Sequence, residues 1–202
     1  MEDKKKVAVM LAEGFEEIEA LTVVDIIRRS KIECDMVSIK SEMVQGSHKM
    51  LVKSDKNITE INKDDYTMVV LPGGLIGTDN LMKCEELISW IKEFANNPKK
   101  CIAAICAAPQ VFAKAGVVKG KKVTSYPDDE FKKVLKEAEY IDDDKQTVVV
   151  DGNIITSRGP ATAFAFAYKL VEILGGDAES LKSGMLYRDA DWRKERIRMG
   201  GT

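Results

Sequence analysis

The chain contains one histidine, His48, and that scarcity constrains its chemistry before any motif is read. A Cys-His or Ser-His enzyme would have to use that one residue, so a carboxylate is the expected general base. Cysteine is sparse as well. Cys34, Cys84, Cys101 and Cys106 form no CxxC pair and no cysteine-histidine ligand spacing. The pattern argues against a zinc site and a disulfide scaffold and suits reduced thiols in the cytoplasm, with no metal and no cofactor expected. An excess of either charge is missing too: 31 Lys+Arg face 33 Asp+Glu. No global field would draw the protein onto nucleic acid or an anionic membrane. Long apolar runs are absent. The stretch from 101 to 118 is broken by Pro109, Gln110 and Lys114 and falls short of the ~20 residues of a membrane helix. The run after Lys4, Lys5 and Lys6 is about one strand long before Glu13 and Gly14, so no signal peptide is expected. Neither GxGxxG nor a GxxxxGK[ST] phosphate loop occurs. Gly73, Gly74 and Gly77 make only GGxxG, a weak dinucleotide signal.

What is present is an α/β rhythm. With 202 residues and 45% hydrophobic content, one sizeable core is expected. Residues 6–11 (KVAVML) read as a strand, and 15–29 as a helix with Ile18, Leu21, Val24 and Ile27 on its apolar face. Strands follow at 33–39, 68–71 and 101–105, with a short β excursion near 50–57. Helices are expected at 80–95, centred on Leu87, Ile91 and Phe94, and at 107–115, 128–137 and 161–174. A strand at 122–125 and a hairpin of 147–150 with 154–156, turning at Asp151-Gly152-Asn153, complete the set. Alternating strands and helices predict a mostly parallel sheet covered on both faces.

In such a sheet ligands gather beyond the carboxyl ends of the strands, and three loops qualify, beginning at Ala12, Pro72 and Cys106. Cys106 falls in AAICAAP, between strand CIAAI and a helix that can hold Pro109 only in its first turn. Unpaired N–H groups and the macrodipole at a helix start favour a thiolate, so Cys106 reads either as a reactive thiol on a sharp corner or as a buried inert cysteine. Glu13, Glu16, Glu17 and Glu19 crowd the start of the first helix, where carboxylates suit the dipole. Glu19, between Ile18 and Ala20, is the one for which partial burial would raise the pKa. The acidic groups at 128–130 and 142–144 read as solvated faces.

Taken in order, EEIEA (16–20), VVLPGG (69–74), AAICAAP (103–109) and TSRGPATA (156–163) resemble the DJ-1/PfpI (ThiJ) superfamily in its DJ-1-like branch. The likeness covers the chain to about residue 186, taken as a single domain (1–186), with 187–202 an extension of unknown role. The resemblance implies a flavodoxin-like sandwich and a homodimer with the first helix at the interface. It makes Cys106 the reactive thiolate, Glu19 the carboxylic acid hydrogen-bonded to it, and the amides of Gly74 and Ala107 the oxyanion pocket. Arg28, His48, Arg158 and Pro160, with Tyr126 near the thiol, map to pocket-rim or partner-contributed positions. Where other branches put a histidine after the nucleophile this chain has Ala107, which disfavours peptidase activity. Tyr126 stands where animal relatives tend to have histidine, and His48 where an anion-binding arginine is often found.

The implied activity is glutathione-independent handling of α-oxoaldehydes such as methylglyoxal, as a glyoxalase, or of early glycation adducts on proteins, as a deglycase. Cys106 would add to the aldehyde, the two amides would hold the alkoxide, and Glu19 would move a proton between adjacent carbons before a thioester is hydrolysed. The alternative is a non-enzymatic oxidative-stress sensor or redox-regulated chaperone acting through Cys106 oxidation. A third reading is a flavodoxin-like binding module. In the tail, Trp192 and Ile197 could anchor the chain on its own body or on a partner, and a mobile basic tail is the competing reading.

Overall fold

A computed structural model describes residues 5–187. Its centre is a seven-stranded sheet made of β1 (Lys6–Leu11), β2 (Glu33–Ser38), β5 (Lys56–Asn57), β6 (Met68–Leu71), β7 (Cys101–Ile105), β10 (Val148–Asp151) and β11 (Ile154–Ser157), in the order β10-β11-β7-β6-β1-β2-β5. Every neighbouring pair is parallel except the β10–β11 hairpin. Outside it, β3 (Met43–Gln45) pairs with β4 (Leu51–Lys53), and β8 (Lys122–Val123) with β9 (Glu139–Tyr140).

Strands buried on both faces must be apolar throughout rather than alternating, which is how β6 and β7 read. The side-chain period of two then divides each strand between two cores. Val7, Val9, Leu11, Met68, Val70, Ala103 and Ile105 face α1 (Glu17–Arg29) and α6 (Ala163–Ile173). Ala8, Met10, Val69, Leu71, Ile102 and Ala104 face the other layer, which includes α3 (Glu85–Asn96) and α4 (Pro109–Lys114). Among the described residues no helix is long and apolar enough to cross a membrane.

β1, β6 and β7 occupy the residues that the apolar runs predict. The first helix starts later than expected because Glu16 is its N-cap: the carboxylate accepts a hydrogen bond from Glu19 N at 2.8 Å. Its apolar face is rotated from the expected one. Ile18 is 51% exposed, whereas Ala20, Val23, Val24, Ile26 and Ile27 are buried. The helix expected at 80–95 is two helices, α2 (Leu75–Lys83) and α3, parted where Cys84 takes an extended backbone. Leu75 and Ile76 point outward, so α2 lacks the periodicity that would announce it. The β excursion near 50–57 resolves into the β3–β4 hairpin and β5. The helices at 128–137 and 161–174 contract to α5 (Asp129–Val134) and α6, the latter entered by a 3₁₀ turn at Pro160–Thr162. A further helix, α7 (Ala178–Gly184), capped by Asp177, has no counterpart in the sequence reading. Trp192 and Ile197 lie outside the described residues.

Candidate functional site

Cys106 follows β7 and is separated from α4 by Ala107 and Ala108, with φ +64. A side chain with a Cβ rarely adopts that left-handed region, which costs on the order of 1–3 kcal/mol and persists only where the surroundings enforce it. Two backbone hydrogen bonds do so here: Cys106 N donates to Ser157 O at 3.1 Å, and Tyr126 N donates to Cys106 O at 2.9 Å. The strained corner turns the thiol away from the strand direction, as a nucleophile elbow does.

Opposite the thiol stands Glu19, in the first turn of α1 and buried. Gly73 N donates to its Oε2 at 2.7 Å. Its Oε1 has no well-aligned hydrogen-bond partner, while the carboxyl and the Cys106 thiol interact directly. The contact couples the two groups while leaving room for alignment to tighten around a substrate. Gly73 and Gly74 are both demanded by this packing. A Cβ on Gly73 would sit 2.7 Å from Cys106 Cβ and 2.7 Å from Glu19 Oε2. Gly74 has φ +87, and a Cβ there would meet Gly14 O at 2.3 Å. The close approach lets the Gly74 amide, with that of Ala107, reach the Cys106 sulfur.

The electrostatics separate the two members of the pair. Burial raises the Glu19 carboxyl from about 4.5 to about 7, with the Gly73 amide opposing and the Glu16 charge assisting. That agrees with the sequence expectation. The expected acidification of Cys106 meets opposing effects. Burial and the Glu19 charge push its thiol up to about 12, against the opposing pull of the Ala107 and Gly74 amides. The helix start that was to favour the thiolate lies three residues beyond Cys106, at Pro109, and burial together with the Glu19 charge outweighs it. The two groups interact closely enough to titrate as a coupled pair.

The remaining expected site residues divide. Arg158 follows Ser157, whose strand register pairs it with Ile105 beside Cys106. Its Nη2 reaches Asp142 Oδ1 at 3.4 Å, and Nη1 is buried with no hydrogen-bond partner. Pro160 opens the 3₁₀ turn that follows. Tyr126 is linked to Cys106 through its backbone and leaves its side chain half exposed over Gly159. Arg28 is not at the rim of this chain's own pocket. It sits in the last turn of α1, nine residues and roughly 14 Å along the axis from Glu19, donating to Cys34 O and paired with Asp55. His48 does not face the thiol either. Its Nδ1 lies 3.0 Å from Glu17 Oε2. That pairing escaped the sequence reading because 31 residues separate the two, and no short motif links them.

Similarity to known proteins agrees with this arrangement. The DJ-1/PfpI family profile matches residues 5–173. The Drosophila melanogaster protein DJ-1alpha is 42% identical over 188 residues, 91% of this chain and 84% of its own. A Pyrococcus horikoshii protein named a deglycase is 30% identical over 169 residues, 84% of this chain and 99% of its own. The crystal structure of Drosophila DJ-1beta superposes with a TM-score of 0.85 at 38% identity, covering 92% of this chain and 99% of that one. A thiol held on a strained strand-to-helix corner against a buried glutamate, inside a mostly parallel seven-stranded sheet, is here the signature of a member of the DJ-1/PfpI family, to which this chain belongs.

Proposed function

We propose that the protein is a glutathione-independent glyoxalase or deglycase acting on α-oxoaldehydes or early glycation adducts. The observation that carries this reading is the convergence of the Cys106 thiol, the Glu19 carboxyl raised to about 7, and the amides of Gly74 and Ala107. With methylglyoxal, Cys106 Sγ bonds to the aldehyde carbon as Glu19 takes the thiol proton. The developing alkoxide is stabilised by the two amides and then takes that proton back from Glu19. Glu19, ionised again, removes the hydrogen from C1 and returns it to C2, while the hydroxyl proton passes from the C1 oxygen to the C2 oxygen. This oxidises C1 and reduces C2 within one molecule, and water cleaves the resulting thioester to lactate. No external electron carrier enters the balance. The relative named a deglycase supports the same class.

Lactate formed from methylglyoxal without glutathione tests the reading: the wild type should turn over and Cys106→Ser should not. A second reading, oxidation sensing, draws on Glu19, which in its protonated form would donate a hydrogen bond to a sulfinate on Cys106. Rapid gain of two oxygens at Cys106 under mild peroxide, without lactate formation, would favour it over catalysis.

The protein is further read as a cytoplasmic homodimer. Exposed Ile18 on α1, with Met50 and Leu51 on the hairpin beside it, supports the dimer face, and four cysteines free of disulfides suit a reducing compartment. Sedimentation at micromolar concentration should give twice the chain mass, and a monomer would reject the dimer.

A further inference from the structure

We propose that Glu16, Glu17 and His48 form a binding site for a divalent transition-metal cation, with zinc the best-matched probe. The proposal is independent of the Cys106 chemistry. One donor atom from each residue lies within 4.8 Å of the other two: His48 Nδ1 is 3.0 Å from Glu17 Oε2 and 3.9 Å from Glu16 Oε1. Around a tetrahedral zinc with ligands at ~2.0–2.2 Å, donor atoms sit roughly 3.3 Å apart, so small side-chain rotations close the set.

Each carboxylate uses one oxygen to fix its orientation and presents the other to the site. Glu16 Oε2 caps α1 through Glu19 N, leaving Oε1 without a hydrogen bond although the side chain is only 9% exposed. Glu17 Oε1 accepts from His48 N at 2.7 Å and Met50 N at 3.4 Å, leaving Oε2 toward the imidazole and Ser47 Oγ. Outer hydrogen bonds of this kind are what orient metal ligands. Glu16 Oε1, on a nearly buried carboxylate, faces the same imidazole nitrogen that Glu17 Oε2 approaches, so both carboxylates and the ring converge on one point. In the single chain His48 is 68% exposed, which gives a cation a route in and lets water complete its coordination. One imidazole with two carboxylates suits zinc and its first-row neighbours better than calcium or magnesium.

Because the chain has a single histidine, the imidazole ¹⁵N signals of the untagged full-length protein report on this site alone. One equivalent of Zn²⁺ should shift them, Nδ1 most. In calorimetry, His48→Ala and Glu16→Gln, the latter retaining a capping oxygen, should each bind Zn²⁺ at least about tenfold more weakly. Imidazole signals that stay still while zinc is taken up elsewhere, as on the thiols, would overturn the assignment. So would equal affinity in both variants.

Discussion

Glu19 is held protonated more readily than an ordinary glutamate, and this has a measurable cost. A carboxyl raised from about 4.5 to about 7 by folding stabilises the native state fully below the lower value. It loses that contribution as pH climbs toward the higher one, because over that interval the native state binds more protons than the unfolded chain. For a group this buried the loss is on the order of 3 kcal/mol. Glu19→Gln keeps the shape and cannot ionise, so its stability relative to wild type should rise between pH 5 and pH 7.5. Urea melts of chelator-treated protein read the difference directly, and a constant offset would mean that Glu19 titrates normally. Gly73 is the neighbouring control. Gly73→Ala should leave far-UV circular dichroism intact and slow alkylation of Cys106 at least several-fold, since the new methyl group needs the space that the thiol and carboxylate share. At this scale Cys106 and Glu19 were legible in the sequence, as a thiol on a corner and an acid between apolar neighbours. The raised thiol was not, because it depends on burial and on a charge 87 residues away.

At the level of elements, the first helix and the β3–β4 hairpin are joined by one side chain. Glu17 accepts the backbone N–H groups of His48 and Met50 and the Ser47 hydroxyl. Burial alone would raise its pKa. The hydrogen bonds from the His48 side chain and from backbone amides outweigh it and hold the carboxyl below the usual range. Its sign is therefore opposite to that of Glu19: the stabilisation is present at neutral pH and lost as pH falls through the lowered value. Glu17→Ala should cost about 1–3 kcal/mol at pH 7, and amide exchange at residues 46–50 should accelerate beyond the global change. Unchanged exchange there would show the loop to be held by other contacts. Strongly apolar strands such as 68–71 and 101–105 could be read from sequence to the residue, since burial on both faces leaves no freedom in composition. α2 could not, because its outward Leu75 and Ile76 invert the usual pattern. Gly77 there answers to the Phe15 backbone, which would lie 2.8 Å from its Cβ. Ile18 misled for a similar reason: it is apolar without being in the core.

Across the whole molecule, the sheet separates two apolar cores and brings three distant segments, 16–19, 73–74 and 106–107, to one carboxyl edge. The α/β alternation was enough to place those loops together, because parallel strands leave their following loops on the same side. It could not tell that Arg28 turns to Cys34 and Asp55 or that His48 turns to Glu17, since both depend on side-chain partners from remote segments. At that edge, in the function proposed above, Glu19 moves protons for Cys106. The most direct test is the rate of lactate formation from methylglyoxal, without glutathione, by wild type and Glu19→Gln under identical conditions. A fall of ~10²- to 10⁴-fold, the usual weight of a general acid-base group, is expected; turnover by Glu19→Gln equal to that of the wild type would contradict the account.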